Sequence, residues 1–97
     1  MISFGPYVPD ERVYLWVQVN DGAPRELTLV RKSPSGAEDI LTLADGDLVL
    51  NATRYEYSFV PTLTDVGIWS YRFYGVNSSG LEFACPPNQR WKKFEVK

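Results

Sequence analysis

Residues 12–19 alternate. Val13, Leu15, Val17 and Val19 share one parity, and Tyr14, Trp16 and Gln18 the other. That is the two-residue period of a β-strand. Apolar side chains occur at both parities, which predicts a central strand or one with a covered outer face. Residues 26–32 repeat the pattern, with Leu27 and Leu29 inward and Thr28 outward. Residues 40–43 and 48–51 are short strand candidates. In 55–60, Tyr55, Tyr57 and Phe59 fall on one face. The strongest alternation lies in 65–74: Gly67 suits a positive-φ turn, and then Trp69, Tyr71 and Phe73 alternate with Ser70, Arg72 and Tyr74. Residues 81–84 and 90–96 complete the set, with Phe94 and Val96 alternating with charge and Trp91 near the strand's start.

Turn chemistry separates these runs about every ten residues: Asn20-Asp21-Gly22-Ala23-Pro24, Ser33-Pro34-Ser35-Gly36 and Asp45-Gly46-Asp47. Residues 61–66 read as a crossing between sheets, 75–80 as a loop and 85–89 as a stiff loop. No stretch repeats apolar residues at helical spacing. Short strands at this interval predict an all-β sandwich or barrel of about seven to nine strands. Pro6 and Pro9 cannot donate to a ladder, so residues 1–9 read as an amino-terminal arm or edge strand. Residues 10–97 then form a single sandwich.

Charge and chemistry narrow the function. The chain has 97 residues, a net charge of −2 and no histidine. The basic footprint of a nucleic-acid binder is missing, and no apolar run is long enough for a membrane span. Without histidine there are no His-based triads and few routes to a catalytic zinc site. Asp39, Asp45 and Asp47 are oxygen donors of the kind Ca²⁺ takes, but Asp-Gly-Asp is also an ordinary turn. Asn51-Ala52-Thr53 and Asn77-Ser78-Ser79 match a glycosylation sequon too short to carry weight. Cys85 is the only cysteine, so no internal disulfide forms. The segment after Met1 has neither a basic nor an apolar leader region, so folding in a reducing cytoplasm is expected. The expectation is a non-enzyme without cofactor or metal.

An acid, a glycine and then alternating aromatics is how the sixth strand of an immunoglobulin-type sandwich opens after its corner. In that frame Trp69 takes the place of the corner tyrosine and Tyr71 that of the second cysteine, facing Val17 or a neighbour in its strand. The fold class expected is an all-β, immunoglobulin-like antiparallel β-sandwich without a disulfide.

Gly67-Ile68-Trp69-Ser70-Tyr71-Arg72-Phe73-Tyr74-Gly75 also resembles a family of small immunoglobulin-like structural proteins of tailed bacteriophages. The matching pieces around it run in the family's order: 13–19, Asp21-Gly22-Ala23-Pro24, Leu27-Thr28-Leu29-Val30, Pro34-Ser35-Gly36 and Phe94-Glu95-Val96. The chain departs from that pattern at 85–91, where a proline-containing insertion precedes the last strand. The resemblance implies a virion component, folded in the bacterial host: a capsid decoration or cement subunit, or a neck or tail accessory. Its partner would be the major capsid protein or another virion protein, with self-association as a further contact.

Aromatic residues outnumber what so small a core must hold, and aromatics are enriched at interfaces. The residues expected to meet a partner are Phe4, Tyr7, Tyr14, Trp16, Pro86, Pro87 and Trp91. A carbohydrate- or surface-binding module is the alternative. It would bind a glycan on an exposed aromatic pair, either Tyr55 with Tyr57 or Tyr14 with Trp16.

Overall fold

The alternating positions do become strands. In the computed structural model, which describes residues 7–19, 22–87 and 90–97, these are β1 (Val13–Gln18), β2 (Glu26–Lys32), β3 (Glu38–Thr42), β4 (Val49–Asn51), β5 (Arg54–Phe59), β6 (Gly67–Val76), β7 (Glu82–Cys85) and β8 (Lys92–Val96). One sheet has the order β1-β5-β4. The other has the order β3-β2-β6-β7, with β8 also paired to β6. All strand pairs are antiparallel. β6 is the hub: one edge pairs with β2, while its other edge carries β8 along Gly67 to Tyr71 and β7 along Phe73 to Val76. β7 and β8 therefore lie end to end in one column. Tyr7 makes a parallel bridge to Val96. Three strands facing five around a central sixth strand, with the amino-terminal segment beside the last, is an immunoglobulin-like β-sandwich.

The inward parity fills the space between the sheets. Val13, Leu15 and Val17 of β1 and Tyr55 of β5 meet Leu27, Leu29, Trp69, Tyr71, Phe73, Phe94 and Val96, all buried. Cys85 is a free thiol, so aromatic packing occupies the inter-sheet space. The ring centroid of Phe94 lies 6.0 Å from those of Trp69 and Tyr71.

The corner before β6 is a single 3₁₀ turn, Leu63–Asp65. The Asp65 carboxylate oxygen Oδ2 accepts from the Thr62 backbone N–H at 2.7 Å and from its hydroxyl at 3.0 Å. The Trp69 indole N–H donates to the Asp65 carbonyl at 2.8 Å. A side chain near the start of the sixth strand thus ties back to backbone a few residues upstream. That is the corner tyrosine's task, carried out by an indole. Gly67 has φ +134°, and a Cβ there would lie 2.7 Å from Pro34 Cβ.

Several element readings need correction. β1 is not central: it stands at the end of its sheet, and its outward Tyr14 is 54% exposed. β6 continues through Gly75 and Val76, which the sequence reading assigned to a loop, because both pair with β2 and β7. β3 begins at Glu38, since Lys32 and Arg31 extend the ladder past Ile40. The last strand starts at Lys92 rather than residue 90. Of the arm 1–9, residues 1–6 lie outside the described residues; Tyr7 adds its bridge, with its N–H on the Glu95 carbonyl and its carbonyl taking the Lys97 N–H, each at 2.8 Å.

Candidate protein-binding faces

The outer face of the three-stranded sheet is built by the second parity of β1 and β5. Register places Tyr14 beside Ser58, Trp16 beside Glu56 and Gln18 beside Arg54, and paired residues share a face. The Arg54 guanidinium sits over the Trp16 ring, 4.1 Å from its centroid. Asn51 donates to the Glu56 carboxylate at 3.1 Å, and Arg12 to the Ser58 hydroxyl at 3.0 Å. Val49, opposite Glu56 on edge strand β4, is 61% exposed. The result is an apolar patch of Tyr14, Trp16 and Val49 in a frame of polar side chains. A cation over the Trp16 ring removes one flat stacking surface from the Tyr14–Trp16 sugar platform. The other platform, Tyr55 with Tyr57, points inward, with Tyr55 buried in the core.

Beside this face, a cleft of about 130 Å³ opens between β1 and β8, lined by Tyr7, Tyr14, Leu15, Trp16, Tyr71, Lys92 and Phe94. Three of the expected contact residues, Tyr7, Tyr14 and Trp16, therefore converge here. Tyr7 meets Phe94 edge to face, with ring centroids 5.8 Å apart. Burial pushes the Tyr71 phenol up to about 12, with Tyr7 and Cys85 adding to the shift. Burial raises Tyr7 as well, and the Glu11 carboxylate adds to that.

The remaining expected residues do not join this patch. Trp91 lies on the outer side of the five-stranded sheet, its ring centroid 4.5 Å from Lys32 Nζ and 5.9 Å from the Arg72 guanidinium carbon. Pro86 and Pro87 lie between β7 and β8, and Pro86 follows a cis peptide bond. Phe4 lies outside the described residues. Next to Trp91 runs a groove of about 540 Å³, with Thr28, Arg72, Tyr74 and Val76 among its lining and Glu26 and Glu82 at one end. Arg72 Nε is buried without a hydrogen-bond partner. Sequence reasoning missed Lys32, Arg54 and Arg72. Only Arg72 carried a local signal, a cation at the same outward parity as Tyr74 on β6; Lys32 and Arg54 meet the rings of Trp91 and Trp16, which lie on other segments of the chain.

Arg31 is a different case. It shares inward parity with Leu27 and Leu29, and its guanidinium carbon lies within 5.4 Å of the centroids of Tyr57, Phe59 and Trp69. Its Nη2 pairs with Asp39 Oδ2 at 2.7 Å. It closes one end of the core as a cation packed on three rings.

Two of the three acids considered for calcium have other partners. Asp39 holds Arg31, and Asp47 Oδ2 accepts from the Thr42 N–H at 3.2 Å. Among the described residues, no three His, Cys, Asp or Glu side chains gather as metal ligands would. Asn77 of the second sequon accepts from the backbone N–H of Ser79 and Leu81 and so builds the β6–β7 turn. No helix of the described residues is long and apolar enough to cross a membrane. In comparisons with protein families, curated proteins and solved structures, nothing matches this chain.

Proposed function

We propose that the chain is a non-enzymatic structural protein of a bacteriophage particle, a decoration or cement subunit that occupies repeated sites on the capsid. The observation that carries this reading is the Tyr14–Trp16–Val49 patch. The inward face of β1 is fully used by Val13, Leu15 and Val17, yet its outward face still displays a tyrosine and a tryptophan. A core that is already complete gives no folding reason for those two rings. An exposed tyrosine beside a half-buried tryptophan, in a polar frame, has the make-up of a contact centre. The resemblance of residues 67–75 to phage immunoglobulin-like proteins supplies the setting. Occupancy of many equivalent sites would offset a modest patch, because docked neighbours raise the effective concentration of the next contact.

The test is co-sedimentation of the purified chain with particles of its phage assembled without it. Migration with the particles at high copy is the expected result, and low copy moves the site to the neck or tail. Tyr14→Ala combined with Trp16→Ala should lower occupancy at least tenfold while the circular dichroism stays that of the folded sandwich. A wild-type chain that stays in the supernatant overturns the proposal, and normal occupancy of the double variant overturns the face.

A further inference from the structure

The outer face of the three-stranded sheet carries cations that it does not pair. Arg12 lies along this face through its hydrogen bond to the Ser58 hydroxyl, and Arg54 through its stacking on the Trp16 ring. Lys92 adds a third cation where the cleft opens beside Tyr14 and Trp16. Among the described residues the ion pairs are Arg31 with Asp39 and Lys32 with Glu38, so none of these three cations has a carboxylate partner. The acids around them are engaged otherwise or lie off the sheet. Glu56, half-buried beside Trp16 at the centre of the face, takes the Asn51 amide. Asp10 and Glu11 belong to the turn before β1, where Glu11 accepts from the Val8 N–H at 3.2 Å. Cations thus outnumber acids around Tyr14 and Trp16, on a chain whose net charge is −2.

A partner seated on Tyr14 and Trp16 takes these cations out of water. Burying a charge without a counter-charge costs more than the contact returns, unless the partner supplies that counter-charge. We infer, resting on the capsid contact proposed above, that this face docks on an acidic protein surface, with carboxylates set around an apolar side chain. The face also fixes their spacing. Ser58, which holds Arg12, and Arg54 stand four positions apart on β5, about 13 Å along the strand. Carboxylates at that separation reach both guanidiniums, and an apolar residue midway lies against Tyr14, Trp16 and Val49. Arg54 is suited to this. Stacking on Trp16 restrains its rotamers before docking and leaves the N–H edge of the guanidinium to a bidentate carboxylate. Nucleic acid fits this face less well. Its phosphates follow one another every few ångströms, so one lying between the two arginines would face the Glu56 carboxylate. A protein surface leaves that central position to an apolar or hydrogen-bond-donating group.

Co-sedimentation with phage particles assembled without this chain tests the charge of the partner apart from the contact itself. Occupancy by the wild type in about 50 mM salt should fall at least fivefold in half-molar salt. Arg12→Glu with Arg54→Glu should lower it at least tenfold, and Arg12→Gln with Arg54→Gln, which adds no repulsion, should lower it severalfold. Arg25→Glu with Lys93→Glu makes the same change in net charge on the five-stranded sheet and should leave occupancy at the wild-type level. Circular dichroism should stay that of the wild type in all three double variants. A wild type that stays in the supernatant removes the capsid contact and this inference with it. A wild type that pellets while the two Arg12 and Arg54 variants bind equally well keeps the contact and overturns the acidic partner. So does an equal loss in the Arg25 and Lys93 variant, because repulsion by net charge then explains the effect. Release of the wild type by nuclease treatment of the particles assigns the cations to nucleic acid and overturns it as well.

Discussion

At Gly75 the fold has no room for a methyl group. A Cβ there would run into the carbonyl oxygen of Glu26 and lie 2.9 Å from its carbon. These are backbone atoms of a paired strand, so neither side can turn away as a flexible side chain would. Gly75→Ala should therefore lower stability by about 3 kcal/mol, through forced separation of β2 and β6, read as a drop in the urea midpoint. From sequence, Gly75 opens the run Gly-Val-Asn-Ser-Ser-Gly and reads as the start of a loop. The constraint comes from a residue 49 positions away, and local composition carries no trace of that. Gly67 and Trp69 were more legible, because an acid, a glycine and an aromatic at fixed offsets describe a corner whose bonds all fall within five residues.

At the scale of the element, β2 shows what alternation can and cannot tell. Its parity put Leu27 and Leu29 inward, and both are buried. The same parity put Arg31 inward, yet a guanidinium reads as solvated on composition alone. Only the meeting of β5 and β6 supplies the three rings that receive it. The side chain of Arg31 is 14% exposed and that of its partner Asp39 is 54% exposed. The packing should therefore outweigh the ion pair. Arg31→Ala should cost about 2 kcal/mol, from the desolvated cation–π contacts and the buried stem. Asp39→Ala should cost less than about 1 kcal/mol. Guanidinium denaturation of both single variants and the double variant checks this; equal losses from the two single changes would give the ion pair the larger part.

For the whole molecule, the packed sandwich changes how stability depends on pH. An exposed tyrosine titrates near 10, whereas Tyr71 in the core holds its proton to about 12. Between those values the unfolded chain binds fewer protons than the folded one, so stability falls as pH rises. The stabilisation is fully present below pH 10 and is lost as pH climbs through 12. Its size is on the order of 2 to 3 kcal/mol, and Tyr7 is shifted in the same direction. Unfolding midpoints at pH 9 and pH 11.5 should separate for the wild type, and that separation should shrink in Tyr71→Phe. An unchanged alkaline loss in the variant would move its source away from this phenol.

The sequence by itself determined which stretches are strands, which side chains face inward, and that one sandwich holds the core without a disulfide. Each of these follows from alternation, turn chemistry or a count, and all are local. It also singled out Tyr14 and Trp16, because aromatics at the outward parity of an apolar strand are visible within six residues. The tertiary structure alone decided that β1 ends its sheet, that β7 and β8 share one edge of β6, and that Arg31 closes the core. It also decided that Trp91 lies on the same face as Glu26, Arg72 and Glu82, while Tyr7 meets Tyr14 and Trp16 only at the cleft between β1 and β8. Those facts depend on which strands pair and in what register. A period-two pattern records only that one side of a strand is buried, and it is silent on what lies across the ladder.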